Sequence, residues 1–430
     1  MSNEMKTKIL KATPNRWLVF CILTLSGGVA FKLEALKDMF YVPMQQFMSL
    51  SNTQIGGALS VYGIVQTIGL IGGIFICDMF SKKYMIGFSL IGIGSVGLYL
   101  ATFPGYTGFL IAYGVMAILT EVTYWPVLLK AISFLGDDKT QGRMFGLLEM
   151  GRGVIDVIVA SSALAIFKAM GENAMALKAG ILFLGGMIAL SGVLCLIFVP
   201  NDEKKLDESG KEINKSKAAL GGMIKAVKNI DIWAVSLNGF VVYCIYCGLT
   251  YFIPFLNTIY FLPATAVGMY GIINQYGLKM VGGPIGGFMS DKVYKSAAKH
   301  IRVGFICCIV AMSLFLLVPH EKLGENGYWL VGAICALSFG TIVFTMRAVF
   351  FAPMSEVKVP KEITGAAMSL ASLIIYLPNS FAYVIYGSFL DKYPGLKGFK
   401  MVFSIMIIWA VIGVGVSSFL IHRIKKVNNK

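Results

Sequence analysis

Runs of about 20 predominantly apolar residues recur a dozen times along this 430-residue chain. They fall at approximately 17–40, 54–77, 84–102, 107–131, 142–167, 178–199, 232–256, 266–289, 302–319, 328–351, 365–389 and 399–421. At 1.5 Å per residue each can cross the roughly 30 Å hydrocarbon core of a bilayer as a helix. The bilayer core offers no water to exposed backbone groups, so a crossing segment must satisfy its own hydrogen bonds, which a helix does. The expectation is an all-α polytopic membrane protein with twelve transmembrane helices. Composition agrees: 57% of residues are hydrophobic and only 14% charged, where a soluble protein carries about 25%.

The net charge of +15 would suggest a nucleic-acid partner in a soluble chain. Here most Lys and Arg gather in the N-terminus, in alternate loops and in the C-terminal tail. That is the positive-inside pattern, which places both termini in the cytoplasm and needs no nucleic acid. The expected location is the cytoplasmic (inner) membrane. No cleavage site follows the first apolar segment, so it reads as a span and not as a removable leader.

The eight cysteines lie within or at the ends of apolar segments, which argues against a disulfide framework. Cys244 and Cys247 have CxxC spacing but no further Cys or His near them in sequence, so they read as packing residues. The three histidines, His300, His320 and His422, are expected in loops or the tail. No metal ligand set, nucleophile with an adjacent base or phosphate loop is in register, so neither a cofactor nor an enzyme is expected.

The chain repeats itself. Phe40-Tyr-Val-Pro43 ends the first span and Tyr251-Phe-Ile-Pro254 the seventh, and Ile55-Gly56 opens the second span as Val267-Gly268 opens the eighth. Asp78 and Asp291 close those same two spans, all at an offset of about 212 positions. Tyr124-Trp125-Pro126 and Phe351-Ala352-Pro353 continue the series after a longer loop at 319–328. The expected organisation is an N-terminal six-helix bundle (1–200), a basic cytoplasmic linker (201–229) and a C-terminal six-helix bundle (230–430), with the two bundles pseudo-symmetric. Glycines in the second and eighth spans, among them Gly56, Gly63, Gly282 and Gly286, permit close helix approach.

The loops that follow those two spans read Asp78-Met-Phe-Ser-Lys82-Lys83 and Gly287-Phe-Met-Ser-Asp291-Lys292-Val-Tyr-Lys295. Together with twelve spans and a central linker, they resemble the G-x-x-x-D-[RK] loops of the major facilitator superfamily. Asn15-Arg-Trp17, Ser51-Asn-Thr-Gln-Ile-Gly56, Trp125-Pro126 with Lys130, and Gln141-Gly-Arg-Met-Phe-Gly146 before Gly151-Arg152-Gly153 are similar to its organic-anion and organophosphate transporters. The resemblance implies secondary transport by alternating access. It also implies a cavity lined by the first, fourth, seventh and tenth spans, and a cytoplasmic gate at Asp78, Lys82, Asp291 and Lys292.

Charges inside spans cost about 2.5–3.5 kcal/mol each on insertion scales, so those present are candidates for function. On the fifth span Glu149 and Asp156 lie about 20° apart on the helical wheel, with Arg152 within about 60° of both. The other embedded charges are Lys32, Glu34, Glu121, Lys279, Arg347 and the partly embedded Glu356. Substrate binding is expected of Arg152, Lys279, Arg347, Lys32, Tyr243, Tyr246, Trp125 and Tyr124. Proton coupling is expected of Glu121, Glu149, Asp156 and Glu34. Asn238, Asn274 and Gln275 are further candidates for the cavity wall, and Ser372, Tyr376 and Asn379 occupy the eleventh span, where no charge matches the Glu149–Asp156 stripe.

The expected function is a proton-coupled transporter of a small organic anion: a sugar acid, a carboxylate or a sugar phosphate. A symporter of neutral sugars or zwitterions, a drug exporter, and a solute sensor that does not transport remain as alternatives. The expected partners are the small-molecule substrate, the lipid bilayer and protons, with the chain acting as a monomer.

Overall fold

In the computed structural model, which describes residues 16–79, 81–135, 141–201, 223–360 and 363–428, all regular structure among the described residues is helical. The order is α1 (Arg16–Val29), α2 (Leu36–Phe47), α3 (Asn52–Met79), α4 (Lys82–Leu100), α5 (106–135), α6 (Gln141–Ala169) and α7 (Ala174–Phe198). It continues with α8 (Ile230–Tyr260), α9 (264–293), α10 (Ala297–Leu317), α11 (His320–Glu325) and α12 (Trp329–Val349). The last three are α13 (Pro353–Glu356), α14 (Thr364–Lys392) and α15 (Leu396–Asn428). Nine helices among the described residues are long and apolar enough to cross a membrane. The other three expected crossings are α1 with α2, α3, and α9. The architecture is the twelve-helix one that the apolar runs predict. Most of the basic linker falls outside the described residues, as does the side chain of Asp78.

Contacts divide the chain into two compact units. The first comprises Met1–Pro43 and Ile68–Lys205, and the second Met44–Thr67 and Leu206–Lys430. In the first unit α1 lies directly on α6. A Cβ added to Gly28 would meet Ile155 at 2.5 Å, so only glycine allows this approach. The first crossing then breaks. Residues 30–35 form a turn, and Phe40 leaves helical geometry (φ −123°, ψ 24°) three residues before Pro43. Proline lacks an N–H and crowds the preceding turn, which accounts for the break. The repeat landmark behaves alike in the second unit, where a 3₁₀ turn at Leu249–Tyr251 precedes Pro254 in α8.

Two long helices carry π-helical stretches near their middles, Ile118–Tyr124 in α5 and Ile273–Gly277 in α9, and a second stretch in α9, Met289–Val293, ends that helix. Such bulges are rare and recur at functional sites. In α14 a 3₁₀ turn at Leu377–Ser380 carries Pro378 and Asn379. The second unit also holds the N-terminal half of α3, up to Thr67. Asp391 of α14 accepts from the backbone N–H of Asn52 (3.1 Å), the Asn52 amide (2.8 Å) and the backbone N–H of Thr53 (2.7 Å). A carboxylate thereby caps the positive end of α3.

Aromatic rings fill one end of the second unit. Phe252, Phe255, Phe315, Phe399 and Phe403 contact one another at centroid separations of 4.7–6.3 Å. His320 seals this cluster from the short helix α11. Its Nδ1 lies 2.6 Å from the Tyr260 hydroxyl and its Nε2 2.8 Å from the Phe315 carbonyl. His300 and His422 belong to helices α10 and α15, not to loops, because the helices run several residues past their apolar runs.

Candidate functional site

Most embedded charges of the first unit resolve into pairs. Arg152 binds Glu149 one turn back on α6 (Nη1–Oε1 2.6 Å), and its Nε donates to the Gly27 carbonyl of α1 at 3.0 Å. Its guanidinium stacks over the Trp125 ring at 4.4 Å from the centroid. Phe31 lies 5.9 Å away on the same cation. Asp156 shares the helix face with Arg152 but pairs elsewhere. The turn after α1 directs Lys32 inward, and its Nζ meets Asp156 at 2.5 Å, with side-chain exposures of 1% and 10%. The stripe predicted on one face of α6 is therefore two separate ion pairs.

A third pair follows in the chain: Lys37 and Asp38 meet at 2.9 Å, each side chain 5% exposed. Sequence reasoning passed over both, although a charged dipeptide inside an apolar run was visible. Glu34 sits half-buried between these pairs, and among the described residues no cation pairs with its carboxylate. The Tyr113 hydroxyl donates to the backbone carbonyls of Leu33 (3.5 Å) and Glu34 (3.3 Å), holding the turn. Glu121 is buried in the π-helical stretch of α5. One residue beyond that stretch is Trp125, and Tyr124, at its end, lies 2.9 Å from the Ser26 hydroxyl of α1.

The second unit holds a different arrangement. Arg347, near the end of α12, places its guanidinium carbon 4.0 Å from the Tyr246 ring centroid, 5.6 Å from Tyr243 and 5.8 Å from Phe344. Among the described residues no carboxylate pairs with it. Cation–π contacts with three rings soften the burial of a guanidinium but do not neutralise it. Tyr243 and Tyr246 come from α8 with ring centroids 5.1 Å apart, and Tyr376 of α14 packs edge-on to Tyr243 at the same separation.

Amides close the rim of the cage. The Tyr246 hydroxyl donates to Gln275 Oε1 at 2.9 Å. Asn379 Nδ2 donates to Gln66 Oε1 at 3.0 Å and to the Tyr243 hydroxyl at 3.3 Å. Gln275 rides on the π-helical stretch of α9 and Asn379 on the 3₁₀ turn of α14, so irregular backbone places both amides. Lys279 follows Gln275 by four residues on α9 and is half-buried.

Several candidates lie elsewhere. Asn238 is fully buried, and its Oδ1 accepts from Ser417 at 2.6 Å, so it joins α8 to α15 and does not line a cavity. At the end of α9, Asp291 and Lys292 are exposed, while Lys82 is buried at the start of α4. The carboxylate that caps a neighbouring helix at that end is Glu356, which accepts from the Ser296 hydroxyl (2.7 Å) and the Ala297 N–H (2.5 Å) at the start of α10. Asp291, Lys295, Ser296 and Glu356 line a cleft of about 330 Å³ there.

Known proteins share this architecture. Inner membrane protein YihN of Escherichia coli strain K12 is 45% identical over 416 residues, which cover 96% of this chain and 97% of YihN. A crystal structure of a bacterial homologue of the human lysosomal transporter Spinster superposes with a TM-score of 0.76 at 15% identity, covering 97% of this chain and 99% of that one. The D-xylose–proton symporter superposes with a TM-score of 0.68 at 16% identity, covering 94% and 96%. The sequence profile described as Major Facilitator Superfamily matches residues 17–383. With that match spanning most of both repeats and a twelve-helix fold beneath it, the chain belongs to the Major Facilitator Superfamily.

Proposed function

We propose that this chain is a secondary active transporter that carries a small organic anion across the inner membrane by alternating access, coupled to protons. The observation that carries the reading is Arg347, an embedded guanidinium with rings around it and no carboxylate partner among the described residues. A charge left uncompensated in a membrane interior is costly and serves a ligand that completes it. A guanidinium offers paired N–H groups that match a carboxylate or phosphate. Arg152 and Lys32, by contrast, already hold Glu149 and Asp156. They act as switches in this scheme, released when a proton or the solute competes for their partners. Glu34, whose carboxylate forms no ion pair among the described residues, is the first choice for the coupling proton, with Asp156 and Glu121 as its relays.

A second reading, transport of a neutral sugar, draws support from the amides Gln66, Gln275 and Asn379 around the same cage. The xylose symporter shares the fold. Thermal stabilisation and uptake in proteoliposomes separate the two. Arg347→Gln is expected to weaken anion binding roughly 10- to 150-fold, the equivalent of about 1.5–3 kcal/mol for a charge-assisted hydrogen bond. Arg347→Lys retains part of the affinity, since an ammonium lacks the planar fork. No carboxylate is orphaned by either change, so the variants fold. Undiminished anion binding by Arg347→Gln would refute the assignment.

A further inference from the structure

The hydrogen-bond donors left over in the Arg347 cage define its ligand more narrowly than charge does. Tyr246 spends its hydroxyl proton on Gln275 Oε1, which fixes the orientation of that amide. The Gln275 NH₂ then has no acceptor among the described residues, although the side chain is only 5% exposed. Tyr243 receives a hydrogen bond from Asn379, and its own proton has no acceptor among the described residues. Asn379 has spent its donors: its NH₂ serves Gln66 and Tyr243, while its Oδ1 accepts from the Cys247 thiol at 3.8 Å. The donors left to meet a ligand are the guanidinium, the Gln275 NH₂ and the Tyr243 O–H. Beside them stand the rings of Tyr243, Tyr246 and Tyr376.

We infer that the ligand is a hydroxylated organic anion of the aldonate or hexuronate kind. Its anionic group meets Arg347. Its hydroxyl oxygens accept from Gln275 and Tyr243, and its C–H surface rests on the tyrosine rings. A plain aliphatic carboxylate satisfies the guanidinium but offers no hydroxyl oxygen to the Gln275 amide or the Tyr243 phenol, so it forgoes hydrogen bonds that a hydroxylated anion makes. A neutral sugar satisfies the amide and the phenol and leaves the guanidinium without its counter-charge. A site built to bond hydroxyls discriminates strongly against an analogue that lacks them, because its own polar groups are then stranded. Polyamines and other cations are excluded by Arg347 itself. This inference rests on the anion-transport reading and narrows its substrate.

The experiment is a binding series on the purified full-length chain with gluconate, glucuronate, hexanoate and glucose, read by calorimetry or thermal shift. Gluconate or glucuronate is expected to bind at least about tenfold more tightly than hexanoate, the equivalent of about 1.4 kcal/mol or one additional good hydrogen bond. In Gln275→Leu the ratio of gluconate to hexanoate affinity falls by about the same factor. A fold defect moves both ligands together, so the ratio isolates the hydroxyl contact. Hexanoate binding as tightly as gluconate overturns this inference and leaves the anion reading standing. Binding of none of the four also overturns this inference, and binding of glucose without either acid overturns the anion reading with it.

Discussion

The Lys32–Asp156 pair offers the sharpest test of how the first unit is held. Its atoms are 2.5 Å apart, with side chains 1% and 10% exposed. At an effective dielectric of about 20, two unit charges at that distance attract by about 7 kcal/mol. Desolvating both ions costs several kcal/mol each, so the intact pair contributes little net stability. Removing one partner is different, because it strands the other. Lys32→Met or Asp156→Leu alone is expected to cost about 3–5 kcal/mol, whereas the double variant lies close to wild type. The coupling energy of the cycle is then about 6–10 kcal/mol in magnitude, the sum of the two single costs, read from denaturant unfolding of the four proteins in one detergent. Additive single effects, or singles below about 1 kcal/mol, would refute the argument. That outcome would mean water reaches the pair and screens it. Transport by the double variant carries a further message: if Asp156 relays the coupling proton, a stable Lys32→Met/Asp156→Leu protein binds solute but loses its response to a pH gradient.

Two other perturbations follow from groups outside that pair. Asp391→Ala removes the cap on α3 and is expected to cost about 0.5–2 kcal/mol, with faster hydrogen exchange confined to the amides of Asn52 and Thr53; unchanged exchange there counts against the cap. Burial holds the His320 imidazole below its ordinary pKa, with its carbonyl partner Phe315 opposing that shift, so the folded protein keeps the ring neutral while the unfolded chain protonates it. Stability is therefore full above about pH 6.5 and falls as the pH drops below that value, and His320→Ala flattens this acid limb while lowering the neutral-pH plateau by about 1–3 kcal/mol. An acid limb of equal depth in His320→Ala excludes the histidine as its source.

The crossings were legible because hydrophobicity alone dictates them, and the repeat was legible because Pro43 and Pro254 impose the same local break. The partners of the charges were not. A helical wheel puts Arg152 beside Asp156, yet the partner that wins is Lys32, delivered by a turn whose course depends on packing among α1, α2 and α6. Arg347 was visible as an embedded cation, but that no carboxylate among the described residues pairs with it is a property of everything around it. Gln275 and Asn379 owe their positions to π-helical and 3₁₀ backbone that no residue pattern announces. Gln66 is a lone amide in an apolar run, which sequence alone cannot tell from a packing residue. Glu356 showed its charge plainly, but its task as the cap on α10 depends on how the chain folds back after α12.

The π-helical stretch Ile118–Tyr124 also gives α5 spare length. In an ordinary helix each residue advances the face by about 100°, so losing one swings everything downstream onto a different side. A π bulge holds one residue more than the α-helical path requires, and the helix on either side keeps its original alignment. A single-residue deletion between Ile118 and Tyr124 is thus absorbed, leaving Trp125 over Arg152 and Lys130 on its own face. The same deletion a turn earlier, among Tyr113–Met116, carries Trp125 away from the guanidinium. Length variation in this helix is confined by geometry to the seven residues around Glu121.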